Sequence, residues 1–125
     1  MKIDTAHKQN LIIRAIFNLS GLERITKDAG KINKSFYRLK QEFPDYFAEL
    51  MFNTNWQSPR SKDLDDILNF FKLSGVLDSG EIGIFGKYYN FLRDKEYAER
   101  LKDDFSDEDI IEIQKMANKF REYIQ

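Results

Sequence analysis

The pattern of apolar and polar positions is clearest between residues 58 and 75, where apolar residues recur at spacings of three and four. This spacing places them on one face of an amphipathic helix. The apolar positions are Leu64, Ile67, Leu68 and Phe71. Ser58-Pro59 or Ser61 can cap the first turn, and Gly75 suits a helix end. The sequence therefore predicts a helix that begins between residues 58 and 61 and ends at Gly75.

Beyond Gly75 the pattern becomes typical of strands. Val76 and Leu77 can begin a strand, and Asp78-Ser79-Gly80 has the composition of a turn. A second turn at Gly86-Lys87 is flanked by β-branched and aromatic residues, which favour strands. These residues are Ile82, Ile84, Tyr88, Tyr89 and Phe91. A capped helix that leads directly into a β-hairpin is the outline of a winged helix.

Helices are also predicted at both ends of the chain. The first begins at Asp4 or Thr5 and ends at Ser20-Gly21. The last begins after Ser106, which forms a capping box with Asp109 three residues later. Its apolar stripe consists of Ile110, Ile113, Ala117, Phe120 and Ile124.

A heptad seam runs from Leu22 to Phe43, where apolar residues alternate spacings of three and four. Its members are Leu22, Ile25, Ala29, Ile32, Phe36, Leu39 and Phe43. Because glycine is costly inside a helix, we expect a short helix to end at Gly30 and a second to run from about Asn33 to Phe43. One long helix is the alternative. The seam suggests a partner helix within the fold, and homodimerisation through it or through the last helix is a further possibility.

Two other segments carry weaker patterns. Asp45 to Gln57 has no clear period, and its structure is left open. Leu92 to Leu101 suits a short helix, and Lys102-Asp103-Asp104 suits a connector to the last helix.

Composition favours one soluble domain over residues 1–125. The 125 residues are 42% hydrophobic and 14% aromatic, which is enough for a single core. The chain has no Cys, which is compatible with a reducing cytoplasm. The first ten residues lack the apolar run of a secretory signal, and no stretch is long and apolar enough to cross a bilayer. We therefore expect a cytoplasmic protein that does not associate with membranes.

Charge is distributed unevenly along the chain, although the net charge is only −1. Residues 1–62 contain 11 basic and 6 acidic residues, whereas residues 63–125 contain 9 basic and 15 acidic residues. Such asymmetry can steer a partner through local fields. Because both signs are interspersed in each half, we favour differently solvated helix faces as the explanation of the asymmetry.

Candidate catalytic and metal-binding groups are sparse. His7 is the only histidine and has no spaced carboxylate near it in sequence, so a histidine-dependent triad or a zinc site is not expected. The acidic residues between 103 and 109 lack the alternating ligands and central glycine of a calcium loop. Neither G-x-x-x-x-G-K nor G-x-G-x-x-G occurs. We therefore expect no enzyme activity, no cofactor and no metal ion.

The start of the predicted helix after residue 58 is a candidate contact surface. In DNA-binding helix-turn-helix folds, the recognition helix enters the major groove. Arg60 and Lys62 can contact phosphate, but three carboxylates follow at once and would repel a polyanion, at Asp63, Asp65 and Asp66. We therefore assign a protein partner to this surface, with DNA as the alternative; its contact residues are Arg60, Lys62, Asp65 and Asp66.

A separate basic face is predicted on the helix that ends near Phe43. Lys34, Arg38 and Gln41 share one side of that helix at spacings of four and three. Lys34 and Arg38 are the cations that a partner would meet there, although a solvated polar face explains them about as well.

The second strand of the predicted hairpin offers another contact. If Tyr89 and Phe91 face the core, alternation along the strand places Tyr88 on the outer face, and Lys87 of the turn is a further candidate there. Exposed aromatic residues often anchor protein interfaces. We therefore include Lys87 and Tyr88 in the candidate partner-binding surface.

Residues 31 to 91 resemble the winged-helix-like family that includes Panacea-type antitoxin and phage-associated domains of bacteria and archaea. Lys34 to Phe43 is similar to the Leu- and Phe-rich helix of that family. Ser58-Pro59-Arg60-Ser61 resembles its Gly-Pro-x-Ser-like turn, with Ser58 in place of the glycine, and residues 71 to 77 resemble its helix end. The resemblance implies a winged-helix fold and a role in regulation or partner neutralisation, without a catalytic residue.

The sequence as a whole predicts a mainly helical chain with a small β-hairpin, arranged as one winged-helix-like domain. The predicted function is a non-enzymatic regulatory or protein-interaction module in a prokaryotic cytoplasm, with a protein partner. A DNA-binding transcriptional regulator is the alternative.

Overall fold

A computed structural model describes residues 5–55, 58–78, 87–90 and 92–125. Its helices are α1 (Thr5–Leu19), α2 (Ala29–Glu42), α3 (Lys62–Ser74), α4 (Leu101–Asp104) and α5 (Asp107–Tyr123), and its strands are β1 (Arg24–Thr26) and β2 (Tyr88–Asn90). Short 3-10 helices occupy Pro44–Tyr46 and Leu92–Arg100. The prediction of a mainly helical domain with a small β-structure is confirmed, and the winged-helix-like arrangement stays a prediction.

Local capping explains why α3 begins and ends, and α5 begins, where the sequence predicts. The Ser61 hydroxyl accepts a hydrogen bond from the Leu64 N–H at 3.2 Å and so caps α3. At the other end of α3, Gly75 has a φ of 84°, a left-handed conformation that glycine adopts without strain. Ser106 caps α5 in the same way, through the Asp109 N–H at 3.2 Å. These predictions are confirmed.

The predicted break at Gly30 is wrong. Helix α2 begins at Ala29, because the Asp28 carboxylate accepts a hydrogen bond from the Lys31 N–H at 3.2 Å and caps the helix. Gly30 therefore lies in the first turn, where it interrupts no established helix. The heptad prediction also fails for Ile25, which is buried in β1 rather than in a helix. The position of Ile25 in the heptad spacing reflects its burial and not a helical structure.

The small sheet joins distant parts of the chain. Strand β1 pairs antiparallel with β2, and Ile25 lies opposite Tyr89. Both of these side chains are buried, which places the ribbon on the core. The prediction that Val76 and Leu77 begin a strand is wrong. These residues turn back after α3, and the Leu77 N–H donates a hydrogen bond to the Phe71 carbonyl at 3.1 Å. Residues 79–86 and Phe91 of the predicted hairpin lie outside the described residues.

Aromatic rings form the centre of the core. Phe17 of α1 lies 6.0 Å from Phe36, 6.2 Å from Phe71 and 5.5 Å from Phe120, measured between ring centroids. All four rings are buried, and each comes from a different helix. Edge and tilted ring packing of this kind adds to the free energy gained from burial. The four long helices therefore share one core.

The faces considered for a homodimer are covered inside the monomer. The middle of the heptad seam is buried, at Ile32, Phe36 and Leu39. The stripe of α5 is also buried at Ile113 and Phe120. These residues belong to the core of the monomer, and homodimerisation stays a prediction.

The two weakly patterned segments are now defined. After the 3-10 turn at Pro44–Tyr46, the chain is irregular, with Phe47 and Leu50 buried and an isolated antiparallel bridge between Asn53 and Arg60. Trp56 and Gln57 lie outside the described residues. The predicted short helix near Leu92 is a 3-10 helix, and the predicted connector at Lys102 is the helical turn α4. None of the described helices is long and apolar enough to cross a membrane.

Candidate functional site

Arg60 and Asp65, which the sequence predicts as partner contacts, form an ion pair with each other. Arg60 Nε donates to Asp65 Oδ2 at 2.9 Å, and Asn33 Nδ2 donates to Asp65 Oδ1 at 3.1 Å. The Asp65 side chain is 28% exposed, so it lies at the edge of the core and not on the open surface. These bonds connect Asp65, in the first turn of α3, to Arg60 in the segment before α3 and to Asn33 of α2. Arg60 and Asp65 therefore stabilise the position of α3.

Asn33 is the central residue of this network, and the sequence reasoning missed it. Its side chain is fully buried; its Oδ1 accepts a hydrogen bond from the Ser61 N–H at 2.7 Å, and its Nδ2 also donates to the Ala29 carbonyl at 2.8 Å. Buried amides of this kind fix the register of the elements that they join. The one signal in the sequence is an amide directly after Ile32 of the apolar seam.

The remaining charges at the start of α3 are exposed. Asp63 Oδ2 accepts a hydrogen bond from the Met51 N–H at 3.0 Å. Lys62 and Asp66 are exposed, and within the described part of the chain Asp66 has no hydrogen-bond or ion-pair partner. An open shallow surface beside Arg60 and Lys62 is lined by Met51 and the polar residues 53–55. Asp63 and Asp66 place negative charge next to Lys62, which disfavours a polyanion at this end of the helix.

The outer face of α3 changes from acidic to apolar along its length. Phe70 is 54% exposed and Leu73 is 90% exposed; Phe70 follows Asp66 by four residues, and Leu73 follows Phe70 by three. One face of the helix therefore presents a carboxylate and then two large apolar side chains. We call Asp66, Phe70 and Leu73 the α3 outer face. The sequence reasoning did not select Phe70 and Leu73, because they lie off the predicted apolar stripe.

A groove between α1 and α3 adjoins this face. Its volume is about 270 Å³, and it is lined by Asn10, Leu11, Arg14, Phe70, Phe71, Ser74 and Val76. Phe70 forms one wall of the groove, and its ring lies 6.2 Å from that of Phe71. The α3 outer face is therefore a convex apolar ridge with an adjacent recess.

The alternation predicted for β2 agrees with the described residues. Tyr89 is buried, whereas Tyr88 is 52% exposed and Lys87 is exposed. Two cations border the Tyr89 ring: Lys27 Nζ lies 5.4 Å and Lys72 Nζ 6.0 Å from its centroid. The edge of the sheet at Tyr88 is positively charged, because Lys87 and these two lysines lie there.

Lys34 and Arg38 of the predicted basic face line a cleft between α2 and the end of α5. The cleft has a volume of about 220 Å³, and its walls are Lys31, Lys34, Ser35, Arg38, Tyr123 and Gln125. The Arg38 guanidinium stacks on the Tyr123 ring, with its central carbon 3.8 Å from the ring centroid. The structure thus adds Lys31 and Tyr123 to the two residues that the sequence selected. We call this feature the basic cleft.

Glu42 does not line the basic cleft, but it holds Tyr123, which does, through a hydrogen bond. The Tyr123 hydroxyl donates a hydrogen bond to Glu42, and Lys119 Nζ lies 3.2 Å from the other carboxylate oxygen. The bond from Tyr123 lowers the pKa of Glu42 below its usual value, and the same bond raises the pKa of Tyr123. The carboxylate therefore stays ionised while Tyr123 stays neutral.

A further recess contains the hydrogen-bonded pair Tyr46 and Asp109. It has a volume of about 300 Å³ and is lined by Lys8, Gln9, Ile12, Asp45, Tyr46, Ala48, Glu49 and Asp109. The Tyr46 hydroxyl donates to Asp109 Oδ1 at 2.8 Å. Burial, and then this bond, raise the pKa of Tyr46 to about 12. Tyr46 consequently stays protonated at neutral pH and is a poor proton donor.

Groups that would hold a metal ion are not assembled in the part of the chain that the structure describes. No cluster of three or more histidine or acidic side chains with metal-binding geometry occurs there. Asp104 accepts a hydrogen bond from the Tyr97 hydroxyl at 2.8 Å, and Asp109 is held by Tyr46. The side chain of His7 lies outside the described residues.

Comparison of the chain with models of known protein families gives no match, and comparison with curated proteins and with solved structures gives none. The resemblance to the Panacea-type domains therefore stays a prediction.

Proposed function

We propose that the protein is a non-enzymatic regulatory module that binds a protein partner through the α3 outer face. The observation that carries this proposal is the exposure of Phe70 (54%) and Leu73 (90%) on one face of a helix that internal hydrogen bonds hold in place. Adjacent large apolar residues on a rigid helix are typical of an interface core. In the winged-helix-like arrangement that we propose, this helix is the recognition element.

The chemistry of the face defines the partner. Asp66 continues the line of Phe70 and Leu73 and has no partner among the described residues. A complementary segment presents apolar side chains to the ridge and a lysine or arginine to Asp66. The groove beside Phe70 is large enough for one inserted side chain. We therefore expect an amphipathic segment with a basic margin, contributed by a different protein.

The order of the elements supports the winged-helix-like arrangement. Helix α1 is followed by β1, then by α2 and α3, and the chain then returns through β2 to pair antiparallel with β1. This order is expected for a winged helix whose first strand pairs with the strand after the wing. In that arrangement α3 is the helix that meets the partner, which agrees with its exposed apolar ridge.

A DNA-binding regulator is the second candidate. It is favoured by the cations at the sheet edge and in the basic cleft, in particular Lys27, Lys72 and Lys87 near Tyr89. It is disfavoured by Asp63 and Asp66 at the start of α3 and by the pairing of Arg60 with Asp65. Fluorescence anisotropy with mixed duplex DNA over a salt series tests it, because phosphate-driven binding weakens steeply as salt rises.

Site-specific photocrosslinking tests the protein partner in cells that express the protein. The crosslinking residue replaces Leu73 in one variant and Ile111 in the control, since Ile111 is also apolar and is 57% exposed on α5. We expect a discrete product with a second protein from position 73 and none from position 111. Equal products from both positions, or none from position 73, would contradict the proposal. A product with the mass of two copies of this chain would replace it with a homodimer.

A further inference from the structure

We propose that the basic cleft is a binding site for a phosphate group, on a surface that shares no residue with the α3 outer face. Three cations converge there, namely Lys31, Lys34 and Arg38, and no acidic side chain is among the lining residues. Spacings of three and four on α2 put the three side chains on one side of the helix. A convergent triple positive charge suits an oxyanion with two negative charges.

The three cations are available to a ligand. In the described residues, Lys31, Lys34 and Arg38 take part in no salt bridge. The nearby carboxylate of Glu42 is instead occupied by the Tyr123 hydroxyl and by Lys119. Among the described residues, Glu42 forms no salt bridge with Arg38 but attracts it through space, so the carboxylate offsets only part of the positive charge of the cleft.

Arg38 is also oriented before a ligand binds. Its guanidinium stacks on Tyr123 at 3.8 Å, and the hydrogen bond to Glu42 holds that ring. Stacking leaves the N–H groups at the edge of the guanidinium plane free to donate. A planar fork of this kind donates two parallel hydrogen bonds to a phosphate, whereas the lysines act as point charges. Less side-chain entropy is lost on binding, because the ring already restricts the arginine.

The dimensions of the cleft limit the ligand. About 220 Å³ holds a phosphate group with a few attached atoms but not a polymer segment. The Tyr123 ring is covered by Arg38 on one side, so that side offers no platform for stacking a base. We therefore assign the site to inorganic phosphate or to the phosphate of a small phosphomonoester.

Titration of the isotopically labelled full chain, followed by nuclear magnetic resonance, tests the proposal. The probes are inorganic phosphate, ribose 5-phosphate and, at matched ionic strength, sodium chloride. We expect saturable shifts of the α2 amides near Lys34 and of the Arg38 guanidinium with both phosphates. Tighter binding of ribose 5-phosphate identifies a phosphomonoester ligand, and equal binding identifies the free anion. Shifts with phosphate that are no larger than those with chloride would overturn the proposal.

Three variants localise the effect. Lys34→Gln removes one charge and leaves the stack of Arg38 on Tyr123 intact, and we expect about a tenfold loss of phosphate affinity. Arg38→Lys keeps the charge but removes the planar fork, so affinity should also fall. Lys115→Gln is the control, because Lys115 is an exposed lysine that pairs with Glu112 on α5. Unchanged affinity in Lys34→Gln, or an equal loss in the control, would show that the binding is not in the cleft.

Discussion

Replacement of Asn33 by alanine tests the network that positions α3. The change removes the acceptor of the buried Ser61 N–H, and an orphaned buried N–H costs about 1–3 kcal/mol. The change also removes one hydrogen-bond donor from Asp65. Because Asp65 is partly exposed and still pairs with Arg60, this second loss adds about 1 kcal/mol. We expect Asn33→Ala to lower the free energy of unfolding by about 3 kcal/mol.

Urea unfolding followed by far-ultraviolet circular dichroism measures this loss. Asn69→Ala is the matched control, because Asn69 is exposed on α3 and its replacement should change stability by no more than about 0.5 kcal/mol. Asn33→Asp keeps an acceptor for Ser61 but sets a second carboxylate against Asp65, so it should destabilise at least as much as alanine. If Asn33→Ala unfolds within about 0.5 kcal/mol of the wild type, the network does not hold α3 and our reasoning fails.

Three further predictions concern caps, a turn and a titrating pair. Ser106→Ala should lower stability by about 1 kcal/mol, whereas Ser106→Asp, which can also cap α5, should be nearly neutral in the same urea assay. Gly75→Ala should cost about 1 kcal/mol because its φ is 84°, and Gly75→Asn should cost less; equal losses would argue against backbone strain. The pKa of Tyr46 is raised to about 12 in the folded protein, so the wild type should lose stability as pH rises from about 10 to 12. Tyr46→Phe should lack that alkaline loss, as checked by thermal unfolding at each pH, and an identical pH profile would be inconsistent with the assignment.

Much of the helical framework could be predicted because its signals are local. Ser61, Gly75 and Ser106 act on backbone groups within a few residues, so their effect is visible in a short stretch of sequence. The pairing of β1 with β2 could not be predicted in this way, because it joins segments on either side of α2 and α3. The spacing of Ile25 fits both a heptad and a buried strand position, and only the opposite strand, with Tyr89, decides between them.

For the candidate surfaces too, features with a local cause could be predicted, and features that depend on distant residues could not. The alternation that exposes Tyr88 and buries Tyr89 follows from strand geometry and agrees with the structure. The role of Asp65, with which Arg60 pairs, could not be read from the sequence, because Asn33 reaches Asp65 from a different helix. The exposure of Leu73 also depends on how α3 packs, since an apolar residue one turn from the core stripe carries no signal of its own.

The affinity of the protein partner for the Leu73→Asp variant is the most direct test of the central claim. The partner is the one identified by crosslinking at position 73, and isothermal titration calorimetry compares the variant with the wild type. Loss of an interface hot spot should weaken binding by about thirtyfold or more, whereas Ile111→Asp should bind as the wild type does. Binding of Leu73→Asp within about threefold of the wild type would contradict a protein interface on the α3 outer face.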